Sequence, residues 1–163
     1  METYNVTESA LINAPAEKVY AILADYRDGH PYILPKPPFV SLEVETGGIG
    51  AGTRFRMQMR AFGKTQTAQA FVTEPEPGRV LAETIPESGI VTTFIVTPAG
   101  NGQQAQTTFS TDLKAPRGLL APLERWMTKR FLQQTYRREL QILDAFAQER
   151  SQNVPASVLR FGD

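Results

Sequence analysis

The chain has no cysteine among its 163 residues. That absence excludes disulfides, thiolate-bound zinc, iron–sulfur clusters and a thiol nucleophile. There is one histidine, His30, so a metal site built from several histidines of one chain is excluded too. Lys+Arg and Asp+Glu number 17 each, giving a formal net charge of zero. A dedicated nucleic-acid binder carries a strong basic excess, and none exists here. No apolar run approaches the roughly 18 residues that a membrane-spanning helix needs. The stretch Met1 to Thr7 lacks the basic and apolar regions of a signal peptide, which reads as cytoplasmic. There is no nucleophile motif of Gly-x-Ser-x-Gly type. Gly47-Gly48-Ile49-Gly50 is not a phosphate loop, because it joins two expected strands rather than a strand and a helix.

What remains is the patterning of one α+β domain over residues 1–150, with an aperiodic tail at 151–163 in which Val158, Leu159 and Phe161 are free to dock. Tyr4 to Ile12 alternates as a strand. Asn13-Ala14-Pro15-Ala16-Glu17 starts a helix, since proline suits the first helical position and Glu17 suits the positive dipole end. Val19, Ile22 and Leu23 form its short apolar stripe. The breakers Asp28-Gly29-His30-Pro31 and Leu34-Pro35 leave room for one more helical turn.

From Phe39 to Leu113 the period is two. Phe62-Gly63-Lys64-Thr65 fits a two-residue Gly-X hairpin of type II′. Pairing Phe62 with Thr65 sets Met59 opposite Ala68, Met57 opposite Ala70 and Phe55 opposite Val72. Opposed residues share a face, so one face is wholly apolar while Arg54, Arg56 and Arg60 fall on the other. Extending this pairing with Glu74 opposite Arg79 turns Leu81, Glu83 and Ile85 inward. Ile85 opposite Ile90 then adds Thr92, Phe94 and Val96. Ala105, Thr107, Phe109 and Thr111 are the inward set of the last strand.

A helical pattern runs from about Ala121 to Ala147. Its first stripe is Leu120, Leu123, Met127 and Phe131; a second, read as adjacent, is Leu132, Tyr136, Leu140, Leu143 and Ala147. A wide apolar face of this kind is expected of a helix covered by a sheet. The expected architecture is therefore a curved antiparallel sheet of about seven strands wrapped around a long C-terminal helix, with a short helical insert after the first strand. One helix rarely fills so wide a sheet, and a cavity is the expected remainder.

Ile12-Asn13-Ala14-Pro15-Ala16-Glu17-Lys18-Val19-Tyr20, Leu23-Ala24-Asp25-Tyr26, Gly50-Ala51-Gly52-Thr53 and Thr73 to Leu81 carry a resemblance. With the terminal helix, they resemble the SRPBCC or START-like helix-grip superfamily over roughly residues 3–148, most of all its bacterial polyketide cyclase/dehydrase-like branch. One departure is Gln103 after Gly102, where a Gly-Thr pair usually opens the last strand. The resembling motifs specify a helix start and turns, and no shared catalytic group travels with them. The superfamily includes lipid carriers, hormone receptors, cyclases and oxygenase subunits, so the resemblance leaves function open. It implies that the insert holding His30 and Tyr32 borders the cavity entrance.

Candidate residues follow from these placements. Glu83 points inward, and a buried carboxylate needs a partner or takes up a proton; a register one residue off, or a Glu paired to a buried Arg, is the plainer reading. Glu83, His30 and Tyr136 are the acid–base candidates. The candidate ligand wall is Tyr32, Phe55, Met57, Met59, Ala70, Val72 and Leu81, continued by Thr92, Phe94, Thr107, Phe109, Met127 and Phe131. The leading expectation is a binder of a small hydrophobic or aromatic molecule, lipid-like or polyketide-like, with no cofactor. The alternatives are an enzyme of the polyketide cyclase/dehydratase kind and a protein-interaction module with a vestigial cavity. Oligomeric state stays open, a homodimer included. The long helix is basic, with eight Lys/Arg against four Asp/Glu between Lys114 and Arg150.

Overall fold

The computed structural model describes residues 1–152; the expected tail docking through Val158, Leu159 and Phe161 lies outside the described residues. Seven strands and three α-helices follow in the order β1 (Thr3–Ile12), α1 (Ala16–Ala24), α2 (His30–Ile33), β2 (Phe39–Thr46), β3 (Arg54–Ala61), β4 (Lys64–Glu76), β5 (Val80–Ile85), β6 (Ile90–Ala99), β7 (Gln104–Lys114) and α3 (Ala121–Gln152). The strands form one antiparallel sheet in the order β1-β7-β6-β5-β4-β3-β2. The two edge strands are consecutive in sequence, and the α1–α2 insert joins them. This is the helix-grip architecture, with α3 held against the concave face.

The hairpin between β3 and β4 corrects the expected register. Ala61 pairs with Lys64, so Met57 faces Ala68 and Phe55 faces Ala70. The turn residues are Phe62 (φ 52) and Gly63 (φ 72). Positive φ at both central positions makes a type I′ turn, whose twist matches the strands it joins. The register moves by two residues rather than one. Side chains alternate with period two, so the faces survive: Phe55 is buried, and Arg54, Arg56 and Arg60 stay exposed on the convex side.

A second shift of two occurs between β4 and β5. Val72 faces Glu83, not Leu81, and a bulge separates Thr73 from Glu76. Pro75 lies in that bulge, where its missing N–H costs no ladder bond. Glu74 is drawn away from Arg79: it accepts from the Tyr20 hydroxyl at 2.6 Å and the Ala51 N–H at 2.9 Å. The β5–β6 register is as expected, with Ile85 opposite Ile90 and Glu83 opposite Thr92. On β7, Ala105, Thr107, Phe109 and Thr111 are all buried.

The core lies at one end of the concave face. There α1 (Val19, Leu23) and the second half of α3 (Leu140, Leu143, Ala147) pack on Ile12, Val72, Leu81, Val96 and Phe109. The first half of α3 does not join it. Leu120, Leu123 and Met127 are exposed, as is Trp126, which overturns the expected core role of the first stripe. The reason is angular. At about 100° per residue, Leu123 and Met127 lie roughly 180° around the helix from Leu132, Tyr136 and Leu143. The two stripes are nearly opposite rather than adjacent, and the sheet covers one of them.

Candidate ligand cavity and acid cluster

Where α3 does not fill the sheet, a cavity of about 130 Å³ remains, lined by Phe39, Leu42, Phe55, Met57, Met59, Ile85, Ile90, Phe94, Leu113 and Leu132 among its apolar walls. Its polar lining is His30, Glu83, Thr92, Thr111, Thr135, Tyr136 and Glu139.

The turn after α1 places two of the ring side chains. The Asp25 carboxylate accepts the N–H groups of Arg27 and Asp28 at 3.0 and 2.9 Å, and its backbone carbonyl accepts those of Gly29 and His30. Gly29 allows the close return, because a Cβ there would sit 2.4 Å from the Ile22 carbonyl oxygen. The Tyr26 N–H meets the Gly48 carbonyl at 2.8 Å, tying this turn to the β2–β3 loop. Tyr26 and His30 are thereby turned inward and stack, with ring centroids 4.7 Å apart. Phe55 stacks on the far side of Tyr26, while Phe94 meets His30 edge-on and Phe109 links Phe94 to Tyr136. This aromatic chain holds the polar groups at fixed angles.

The Tyr26 hydroxyl donates to Glu83 Oε1 at 2.6 Å, a length typical of a bond to a charged oxygen. His30 Nδ1 lies 2.7 Å from the Leu23 carbonyl. A carbonyl only accepts, so Nδ1 carries a proton and Nε2 is the nitrogen turned to the acids. That nitrogen is 3.5 Å from Glu83 Oε1 and 3.9 Å from Glu139 Oε1. Glu139 is 2% exposed and makes no hydrogen bond among the described residues. Burial pushes its carboxyl well above the usual carboxylate range, and the neighbouring Glu83 pushes it further. Burial raises Glu83 as well, with His30 and Tyr26 pulling it back. Two carboxyls in one buried site do not both ionise easily. The directions assign the proton to Glu139 and the charge to Glu83. Across the cavity Thr92 and Thr111 share a hydrogen bond of 2.9 Å, and Thr111 in turn bonds the Tyr136 hydroxyl. Burial is the main reason that the Tyr136 hydroxyl is pushed up to about 12.

The three acid–base candidates, Glu83, His30 and Tyr136, line the same cavity. Of the candidate wall, Phe55, Met57, Met59, Thr92 and Phe94 also line it. Ala70, Val72, Leu81, Thr107 and Phe109 are instead buried in the packed end of the concave face, which leaves them no open space. Tyr32 is exposed and stacked on Phe146, with ring centroids 5.8 Å apart. Met127 is exposed on the outer side of α3, and Phe131 packs on Phe62 at the hairpin tip. Sequence reasoning misses Tyr26 and Glu139. Glu139 reads as one of the surface charges of α3, although it follows Tyr136 by three residues and precedes Leu143 by four, on the buried stripe. Among the described residues no group of three or more acidic or histidine side chains is spaced to hold a metal ion.

An antiparallel sheet gripping a helix, with a cavity between them, defines a START-like protein, as the resemblance implied. Residues 3–148 match the family described as polyketide cyclase/dehydrase and lipid transport, and the chain belongs to that family. A comparison with curated proteins finds no match. Similar solved structures include the KanY protein, at 23% identity and a TM-score of 0.78 over 91% of this chain and 99% of that one. TTHA0849 from Thermus thermophilus aligns at 23% identity and a TM-score of 0.75, again over 91% and 99%. The Zhui aromatase/cyclase from Streptomyces sp. R1128 aligns at 20% identity and a TM-score of 0.73, over 94% and 99%. At these identities the likeness shows the fold.

Proposed function

We propose that the protein binds a small, largely apolar molecule of about one ring, bearing a carbonyl or hydroxyl oxygen, inside the cavity. The observation that carries this reading is Glu139: a buried carboxyl with no hydrogen bond among the described residues, on the wall of an apolar cavity. A polar group so placed is costly unless something completes its bonding. A ligand oxygen accepting from its proton does so, and the apolar walls hold the remainder. Size narrows the class. A cavity of about 130 Å³ is close to the roughly 150 Å³ that accommodates a benzene-sized guest. It is well below the roughly 300–1,000 Å³ of sites for drug-sized ligands. A fused polyketide or an acyl chain needs the wall to open.

Thermal unfolding with p-cresol and toluene tests this. At a hundredfold excess over the dissociation constant, a ligand stabilises by about 2.7 kcal/mol, or about 5–10 °C for a domain of this size. The expected result is a rise with both, larger with p-cresol, that is lost when Leu132→Trp fills the cavity. No rise with either compound in the folded wild-type protein sinks the reading.

A second reading, acid–base catalysis on such a ligand, is favoured by His30 Nε2 standing 3.5 Å from Glu83 and 3.9 Å from Glu139 on one cavity wall. Glu139 would donate to a carbonyl oxygen while Glu83 or His30 takes a proton from the adjacent carbon. Deuterium exchange into a small β-keto ester, followed by NMR, distinguishes the two readings. Exchange that survives Glu83→Gln and Glu139→Gln removes the catalytic one.

A further inference from the structure

The first turns of α3 and the two residues before it invert the usual pattern of a surface helix. Leu119 is fully exposed, and Leu120, Leu123 and Trp126 each expose more than half their surface. Met127 joins them on the outward side. The residues turned toward the sheet are polar instead: Arg125 lies over the Tyr4 ring at 4.9 Å and 3.8 Å from Glu2. Exposed apolar residues placed singly need no explanation, but a contiguous group on one helix face marks an interaction surface.

Charge decides what that surface meets. Arg125 is turned to the sheet beside Glu2, which leaves four cations between Lys114 and Arg130, namely Lys114, Arg117, Lys129 and Arg130, against Glu124. Glu139 is buried, so it does not offset the basic character of the helix exterior. Arg130 lies over the Trp126 ring, 5.7 Å from its centroid, in the middle of the apolar patch. A second copy docking here would bring these like charges together, which costs affinity. A lipid surface bearing anionic headgroups takes both parts at once. The Leu, Met and Trp side chains enter the acyl boundary, and the Arg and Lys groups meet the phosphates. Tryptophan sits well at that depth, apolar in body with one N–H to bond.

We propose that the segment from Arg117 to Arg130 is a docking surface for an anionic membrane interface, on which the protein lies without spanning it. Leu132, which lines the cavity, follows Met127 by five residues, about 7.5 Å along the helix but on its other side. The proposal stands whether or not the cavity reading is correct, because the surface residues are not those of the cavity.

The chain's single tryptophan is the reporter. Trp126 emission is measured with vesicles of equal parts phosphatidylglycerol and phosphatidylcholine, and with phosphatidylcholine alone. The expected result is a blue shift with the mixed vesicles, partitioning about tenfold or more stronger than with the neutral ones, and weakened by salt. Leu123→Glu and Arg130→Glu, both at exposed positions, each reduce the shift while leaving the far-ultraviolet circular dichroism unchanged. Three outcomes overturn the proposal. One is no shift with anionic vesicles. Another is a blue shift without vesicles that vanishes on dilution, which identifies a second copy as the occupant. The third is an emission already blue-shifted at every dilution and indifferent to lipid, which identifies a cover supplied by the chain itself.

Discussion

Replacing Glu139 by glutamine should make the protein more stable at neutral pH, and the gain should grow with pH. In the unfolded chain this carboxyl loses its proton around the usual value of 4.5; in the fold, burial and Glu83 hold the proton to well above that. Between those two points the native state binds more protons than the unfolded one, so stability falls as pH rises. Each acid in this condition removes about 1.4 kcal/mol per pH unit. Glu83 is raised also, in the same direction, so the wild-type protein loses stability through both acids in the lower part of the window. His30, Glu83, Tyr26 and Tyr136 all face this position, and the substitution leaves all four in place. Glutamine keeps the shape and a hydrogen-bond donor but has no proton to release. The two proteins should therefore be nearly equal near pH 4.5 and diverge above it. The divergence should be about 1.4 kcal/mol per pH unit, or about 3–6 °C in Tm per unit for a domain of this size. Urea unfolding followed by circular dichroism at a series of pH values measures both curves. Parallel curves would falsify the assignment of a retained proton to Glu139.

Two further outcomes are expected. Thr107 Oγ1 is buried without a hydrogen-bond partner among the described residues, so the isosteric Thr107→Val should raise stability by about 1 kcal/mol and Tm by about 2–4 °C. An unchanged or lower Tm would mean that the hydroxyl is satisfied. Tyr26→Phe removes the 2.6 Å donor to Glu83 and should cost about 1.5–3 kcal/mol at neutral pH, as for a bond to a charged group. It should also move the Glu83 carboxyl further up, visible as a growing protonated-carboxyl band in the infrared at fixed pH.

Legibility in the sequence follows the side-chain period. Both hairpin registers differ from expectation by two residues, and both still put the right residues inward, because a shift of two preserves the faces. Turn geometry is the finer quantity: the positive φ of Phe62 does not follow from the sequence, since a bulky residue rarely adopts it. Glu83 is visible because it breaks an otherwise apolar row. Glu139 is not, because on a helix rich in charge one more acid looks like solvent-facing decoration until the angle to Tyr136 and Leu143 is worked out. The outward stripe of α3 escapes for the opposite reason. Leu120, Leu123 and Met127 are spaced as a core face is spaced, and spacing alone does not say whether a sheet extends far enough to cover it.

The Asp25-centred turn that points Tyr26 and His30 inward belongs to the connection between the two edge strands, whereas Glu83 and Glu139 stand on β5 and α3. Half of the polar cluster is thus portable. A relative with the same sheet and helix can exchange about ten residues between α1 and β2 and present a different partner to the same two acids. Descent with that one segment replaced would yield new chemistry without disturbing a strand, and grafts of residues 25–34 between relatives are the natural way to recreate it.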